Sequence, residues 1–137
     1  MRIMAIDYGD AHTGVAVSDP TGFLTGFTAI ITAYRPEAVA EQITALAREH
    51  GAEELVLGHP RNMDGTRGPR AQKAEALAEL LREASGLPVV LWDERRTTID
   101  AHQILFNAGK NARQRKKTVD AVAASLILEG YLTYKKN

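Results

Sequence analysis

Ile3-Met4-Ala5-Ile6-Asp7, Tyr8 to Gly14, and Val15-Ala16-Val17-Ser18-Asp19 decide the fold. The first segment is a short apolar run that stops at a carboxylate, which predicts a buried strand. The second is rich in turn formers, and the third resumes the apolar pattern as a second strand. Asp19-Pro20-Thr21-Gly22 marks another turn, and Phe23 to Ile31 carries β-branched and aromatic residues suited to a third strand. Three strands joined by short turns predict an antiparallel meander.

Downstream the periodicity changes. Pro36 opens a helix in which Val39, Ile43, Leu46 and Ala47 share a face and Gly51 ends it. Leu55-Val56-Leu57 predicts a fourth strand closed by Gly58-His59-Pro60, and the polar loop Arg61 to Arg67 leads to a helix carrying Ala74, Leu77, Ala78 and Leu81. Pro88 to Trp92 predicts a fifth strand. Thr97 and Asp100 resemble a capping box for a helix to about Phe106, Ala108 to Lys117 reads as a basic connection, and a last helix is expected from Thr118 to Tyr134. The order βββαβαβαα implies an α/β fold: a five-stranded mixed sheet, three antiparallel strands continued by two parallel ones, with helices on both faces.

Composition narrows the chemistry. At 137 residues with 45% hydrophobic and 25% charged residues, the chain predicts one domain, residues 1–137, with one globular core. No cysteine is present, which excludes disulfides, thiolate metal sites and cysteine nucleophiles. Lys+Arg and Asp+Glu both number 17, so attraction to a polyanion must come from local patches. No secretory leader and no membrane span are read, and a cytoplasmic location is expected.

Carboxylates then stand out. Asp7 closes the first strand, and Asp93-Glu94 follow the fifth; periodicity alone does not choose between that pair. In the last helix Val119, Val122, Ala123, Leu126, Ile127, Gly130 and Tyr131 fall on one arc, and Ala124, Ile127 and Tyr131 also stack on the line of Asp120. A carboxylate aimed at a sheet must be paired, hydrogen-bonded or holding a cation. Taken singly, each acid has an ordinary explanation: Asp120 as a first-turn acid, Asp7 as a turn cap, Glu94 as a solvated neighbour of Arg95 and Arg96. Three converging carboxylates would form an all-oxygen cage suited to Mg²⁺ or Mn²⁺. Two ions about 3.5–4 Å apart would stabilise both the attacking and leaving oxygens of phosphodiester hydrolysis.

Lys110, Arg113, Arg115, Lys116 and Lys117 precede Asp120, and Arg61, Arg67, Arg70 and Lys73 cluster around the polar loop. Either set could track a phosphate backbone, or simply solubilise a loop. Tyr8 is assigned to packing rather than base stacking.

Asp7-Tyr8-Gly9, Gly14 to Asp19, Asn62-Met63-Asp64-Gly65, Asp93 to Thr98 and Val119 to Ala124, in this order, closely resemble the YqgF family, also called RuvX. The resemblance covers nearly the whole chain. It implies an RNase H-like fold, a metal-dependent nuclease, and a cytoplasmic role in processing the 5′ end of pre-16S rRNA. Members were earlier proposed to resolve Holliday junctions. The family's acidic triad maps onto Asp7, Glu94 and Asp120. Two departures occur: His12 stands where members usually carry Arg, and His59 replaces Leu in a Gly-Leu-Pro motif. A neutral His12 would hold a phosphate less firmly at pH 7.

The substrate remains open between structured RNA and branched DNA, with ribosomal or precursor-rRNA partners and a monomer or homodimer. A non-catalytic nucleic-acid-binding module is a third reading. A nucleotide-hydrolysing domain of the sugar-kinase type is disfavoured, because it needs two such lobes around the nucleotide.

Overall fold

A computed structural model of the chain describes residues 1–21, 25–60, 64–93 and 112–136, without the side chains of 112–120 and 136. The elements are β1 (Ile3–Asp7), β2 (His12–Ser18), β3 (Thr25–Thr32), α1 (Pro36–His50), β4 (Glu54–His59), α2 (Pro69–Ser85), β5 (Val89–Asp93) and α3 (Ala112–Lys136). The sheet order is β3-β2-β1-β4-β5. β1 pairs antiparallel with β2 and parallel with β4, β3 pairs antiparallel with β2, and β5 pairs parallel with β4. The expected five-stranded mixed sheet is therefore present.

Strand alternation sends successive side chains to opposite faces, and two cores result. Met4, Ile6, Val15, Val17, Leu55, Leu57 and Val89 point to one face, where Val39, Ile43 and Ala47 of α1 and Leu77, Ala78 and Leu81 of α2 cover them. Ile3, Ala5, Ala16, Val56 and Trp92 point to the other, beneath Ala124, Ile127, Leu128, Tyr131 and Leu132 of α3. Each helix is thus held chiefly by burying one apolar stripe. Gly51 at φ 68° and Gly86 at φ 71° close α1 and α2 in the left-handed region, where a side chain is strained.

Three boundaries differ from expectation for identifiable reasons. β2 begins at His12, three residues before Val15, because His12 and Thr13 pair with β3 and Gly14 pairs with both neighbouring strands. β4 continues through Gly58 and His59, which lie opposite Trp92 and Asp93 of β5. The ladder overrides a Gly-His-Pro sequence that reads locally as a turn. β3 is described from Thr25 onward, and Phe23 lies outside the described residues. The last helix starts at Ala112 rather than Thr118, so Arg113, Arg115, Lys116 and Lys117 belong to its first turns and not to a loop. Arg, Lys and Gln are good helix formers, and neither Gly nor Pro interrupts 112–117. The helix expected from Thr97 to Phe106 lies outside the described residues, as does Lys110.

The buried stripe of α3 is also rotated from the expected arc. Ala124, Ile127, Leu128, Tyr131 and Leu132 are buried, whereas Val122, Ala123 and Leu126 are half-exposed. Three stacked members of the buried stripe are the residues that share the line of Asp120.

Candidate active site

The parallel strands β1, β4 and β5 all end on one edge of the sheet, at Asp7, His59 and Asp93. β2 begins on that edge, so the β1–β2 turn and the segments entering α1 and α2 cluster there. Open α/β sheets place their chemistry beyond the carboxyl ends of such strands.

Asp7 is half-buried and lies opposite Gly14 of β2. Alternation from Ala5 sets it on the α3 face, where its cross-strand partner carries no side chain. His12, two residues along β2 from Gly14, falls on the same face; its Nδ1 lies 3.4 Å from the Thr32 hydroxyl. Gly9 is required by the tight turn after Asp7: a Cβ there would lie 2.3 Å from the His12 carbonyl oxygen. Tyr8 packs against the α1–α2 core, and burial, then the charges of Asp10 and Glu37, push its hydroxyl pKa up.

β5 resolves the question its sequence leaves open for Asp93. Trp92 points toward α3, where its ring meets Tyr131 edge-on at 5.6 Å. Asp93 therefore falls on the α1–α2 face, opposite to Asp7. Glu94 lies outside the described residues. Asp120 occupies a backbone position in α3 one turn before Ala124, and its side chain is not described. Among the described residues no group of three His, Cys, Asp or Glu side chains is close enough to hold a metal ion. Of the proposed triad, only Asp7 has a described side chain.

On the α2 flank a different set of side chains converges on Glu75, which the sequence did not single out. His59 is buried at 7% exposure and faces α2. Its Nε2–H donates to Glu75 Oε2 at 2.7 Å, and Arg67 Nη1 donates to Glu75 Oε1 at 2.8 Å. The hydrogen bond from His59, chiefly, holds the Glu75 carboxyl below its ordinary range; that from Arg67 adds to the effect, and desolvation opposes both. Lys73 lies 3.7 Å from Asp10, which brings the start of α2 beside the β1–β2 turn. Arg61 lies outside the described residues.

Comparison with known proteins places the chain. The family described as "RuvX: Holliday junction resolvase" matches residues 1–134. The chain belongs to the RuvX family. A relative from Halothermothrix orenii, named "Putative pre-16S rRNA nuclease", is 42% identical over 98% of this chain and 96% of its own length. One of the same name from Pelotomaculum thermopropionicum is 46% identical, covering 96% of this chain and 86% of its own. Among solved structures, Thermus thermophilus RuvC in complex with a Holliday junction substrate superposes with a TM-score of 0.65. It covers 98% of this chain and 96% of its own at 14% identity, a likeness of fold. This RuvX chain has the RNase H-like fold shared by that RuvC structure.

Proposed function

We propose that this chain is a divalent-metal nuclease that hydrolyses phosphodiester bonds, with Asp7, Glu94 and Asp120 as the carboxylates that hold Mg²⁺ or Mn²⁺. The observation that carries this reading is the placement of Asp7. It ends the central strand on the α3 face, with a side-chain-free Gly14 opposite. Asp93 falls on the other face, which favours Glu94 as the acid contributed after β5. Asp120 precedes the buried line Ala124, Ile127 and Tyr131 by one turn, which favours a place on the same side.

An all-oxygen donor set fits a hard cation, which when bound neutralises phosphate charge and lowers the pKa of a coordinated water. The protein's own contribution is rigidity and electrostatics. Asp7 is fixed by a strand hydrogen-bonded on both sides, so its carboxylate is positioned before substrate arrives. Arg61, Arg67, Lys110, Arg113, Arg115, Lys116 and Lys117 supply the cationic path for a phosphate backbone that a neutral molecule must concentrate locally.

The names of the relatives favour precursor 16S rRNA as substrate, and the family resemblance adds processing at its 5′ end, in the cytoplasm, as part of ribosome biogenesis. On this reading residues 1–137 form one nuclease domain whose partners are structured RNA and precursor ribosomal particles. The superposition on a junction-bound RuvC favours four-way DNA as a second reading. Symmetric cutting of a junction needs two sites related by a two-fold axis, and hence a homodimer.

The deciding experiment incubates a labelled precursor-rRNA 5′ leader and, separately, a four-way DNA junction with wild type and Asp7→Asn, with Mg²⁺ or Mn²⁺ and then with EDTA. Cleavage of the leader is expected only with metal and only in the wild type, while Asp7→Asn still binds RNA. Paired cuts in the junction by a dimer select the second reading. Cleavage that survives EDTA or Asp7→Asn refutes the carboxylate site. Binding without cleavage of either substrate leaves a non-catalytic binding module.

A further inference from the structure

The chain of contacts His59–Glu75–Arg67 runs from the buried end of β4 to the surface beside the Asp7 edge. A buried imidazole needs a polar partner, and His59 finds one in Glu75 on the second turn of α2. Glu75 in turn receives Arg67, whose side chain is 54% exposed. An exposed Arg–Glu pair ordinarily does little, because both side chains must be ordered for a weakly attractive contact. Here one member is already immobilised from below, so Arg67 meets a fixed acceptor.

The backbone leading to Arg67 is ordered as well. Asp64 Oδ1 accepts the Thr66 amide at 2.9 Å and the Thr66 hydroxyl at 2.7 Å, and Gly65 takes φ 88° to close that turn. One guanidinium N–H is spent on Glu75, and among the described residues Arg67 makes no other ion pair. A planar fork that keeps donors facing solvent matches phosphate oxygens. The neighbouring Arg70 and Lys73 lie on the first turns of α2, and Lys73 reaches Asp10 in the turn beyond Asp7.

We propose that His59 is a positioning residue which, through Glu75, presents Arg67 as a preorganised contact for a backbone phosphate of the bound nucleic acid. This rests on the nuclease reading for the identity of the ligand. It assigns a role to His59 and Glu75 that neither the sequence motifs nor the carboxylate triad supplies. The histidine acts on affinity through the arginine and touches no substrate itself.

A double-mutant cycle tests it. Binding of a fluorescein-labelled RNA hairpin is followed by anisotropy across a salt series, with Mg²⁺ present and Asp7→Asn as the uncleaving background. Arg67→Ala is expected to weaken binding about 5-fold and to flatten the log–log salt slope by about 0.7–0.9, the signature of one lost phosphate contact. His59→Leu is expected to weaken binding about 3-fold, the scale set by ordering one long side chain. It should cost nothing more once Arg67 is already alanine. His59→Gln, whose amide can still donate to Glu75, is expected to restore most of the loss, and thermal melts identify any variant that has merely unfolded.

Additive losses from His59 and Arg67 overturn the proposal. So does unchanged or tighter binding by His59→Leu or Glu75→Gln, which would make Glu75 a brake on Arg67. Cleavage of the same hairpin by the Asp7 protein is measured in parallel. If the cycle holds without cleavage, only the nuclease reading fails. If cleavage occurs with an additive cycle, only this inference fails. A wild type that does not bind RNA overturns both.

Discussion

Replacing Gly9 by alanine perturbs the turn that fixes Asp7 without touching a proposed ligand. The new Cβ would lie 2.3 Å from the His12 carbonyl oxygen and 3.5 Å from its carbonyl carbon. That oxygen belongs to backbone already committed on its far side: His12 pairs with Thr32, and the Ala11 carbonyl accepts the Ala33 amide at 3.2 Å. The turn must open by about 0.7 Å before the contact reaches even 3.0 Å, a distortion of the kind that costs about 2–3 kcal/mol. For a chain of this length the midpoint of thermal unfolding is expected to fall by roughly 6–10 °C, read by circular dichroism or calorimetry. Because Asp7 lies two residues before the turn, metal-dependent cleavage should also fall about 100-fold at temperatures where the variant stays folded. A Gly9→Ala protein that melts within 1–2 °C of wild type and cleaves normally would refute the claim that this turn admits no side chain.

The remaining expectations have other signs and sites. Gly130→Ala should stabilise the protein by about 0.8–1 kcal/mol in a denaturant titration, because a Cβ there meets the Trp92 ring at an ordinary 3.5 Å and the helix loses a glycine. Leu57→Ala, at a fully buried position of β4, should cost about 2–5 kcal/mol with an unchanged denaturant slope. The Tyr131 hydroxyl donates to Glu54 at 2.5 Å, and burial, then that bond and the Glu54 charge, push its pKa well up. A raised folded-state value means stability fully present below the unfolded value of 10.0 and lost as the pH rises above it. Tyr131→Phe should therefore remove part of the alkaline destabilisation seen in pH-dependent melts. An identical alkaline fall in both proteins would contradict this origin.

The meander and the parallel extension were readable because β-branched runs, turn formers and helical spacing agree with one another from Ile3 to Trp92. Where they conflict, tertiary pairing decides. Gly58 and His59 read as a turn, yet pairing with Trp92 and Asp93 of β5 draws them into the ladder. Charge misled at Arg113 to Lys117, where good helix formers continue α3 through a stretch that looks like a solvated loop. The choice between Asp93 and Glu94 was hidden because Val89-Val90-Leu91-Trp92 is apolar throughout, so a period of two leaves no trace; only the contact of Trp92 with Tyr131 fixes the phase. The His59–Glu75 bond joins a strand to a helix across sixteen residues, beyond any local pattern. Asp7 was legible as a strand-ending acid, while Glu94 and the Asp120 side chain lie outside the described residues.

The α3 side of the sheet has a consequence for synthesis. Among the described residues, Ile3, Ala5, Ala16, Val56 and Trp92 are covered by residues from Ala124 onward, near the far end of the chain. A nascent polypeptide that has emerged through β5 can bury its α1–α2 wall but leaves the opposite wall wet and sticky. Vectorial folding therefore completes the two sides at different times. Early termination would yield a half-roofed sheet prone to self-association, and a translating cell would meet that species before it met a competent enzyme.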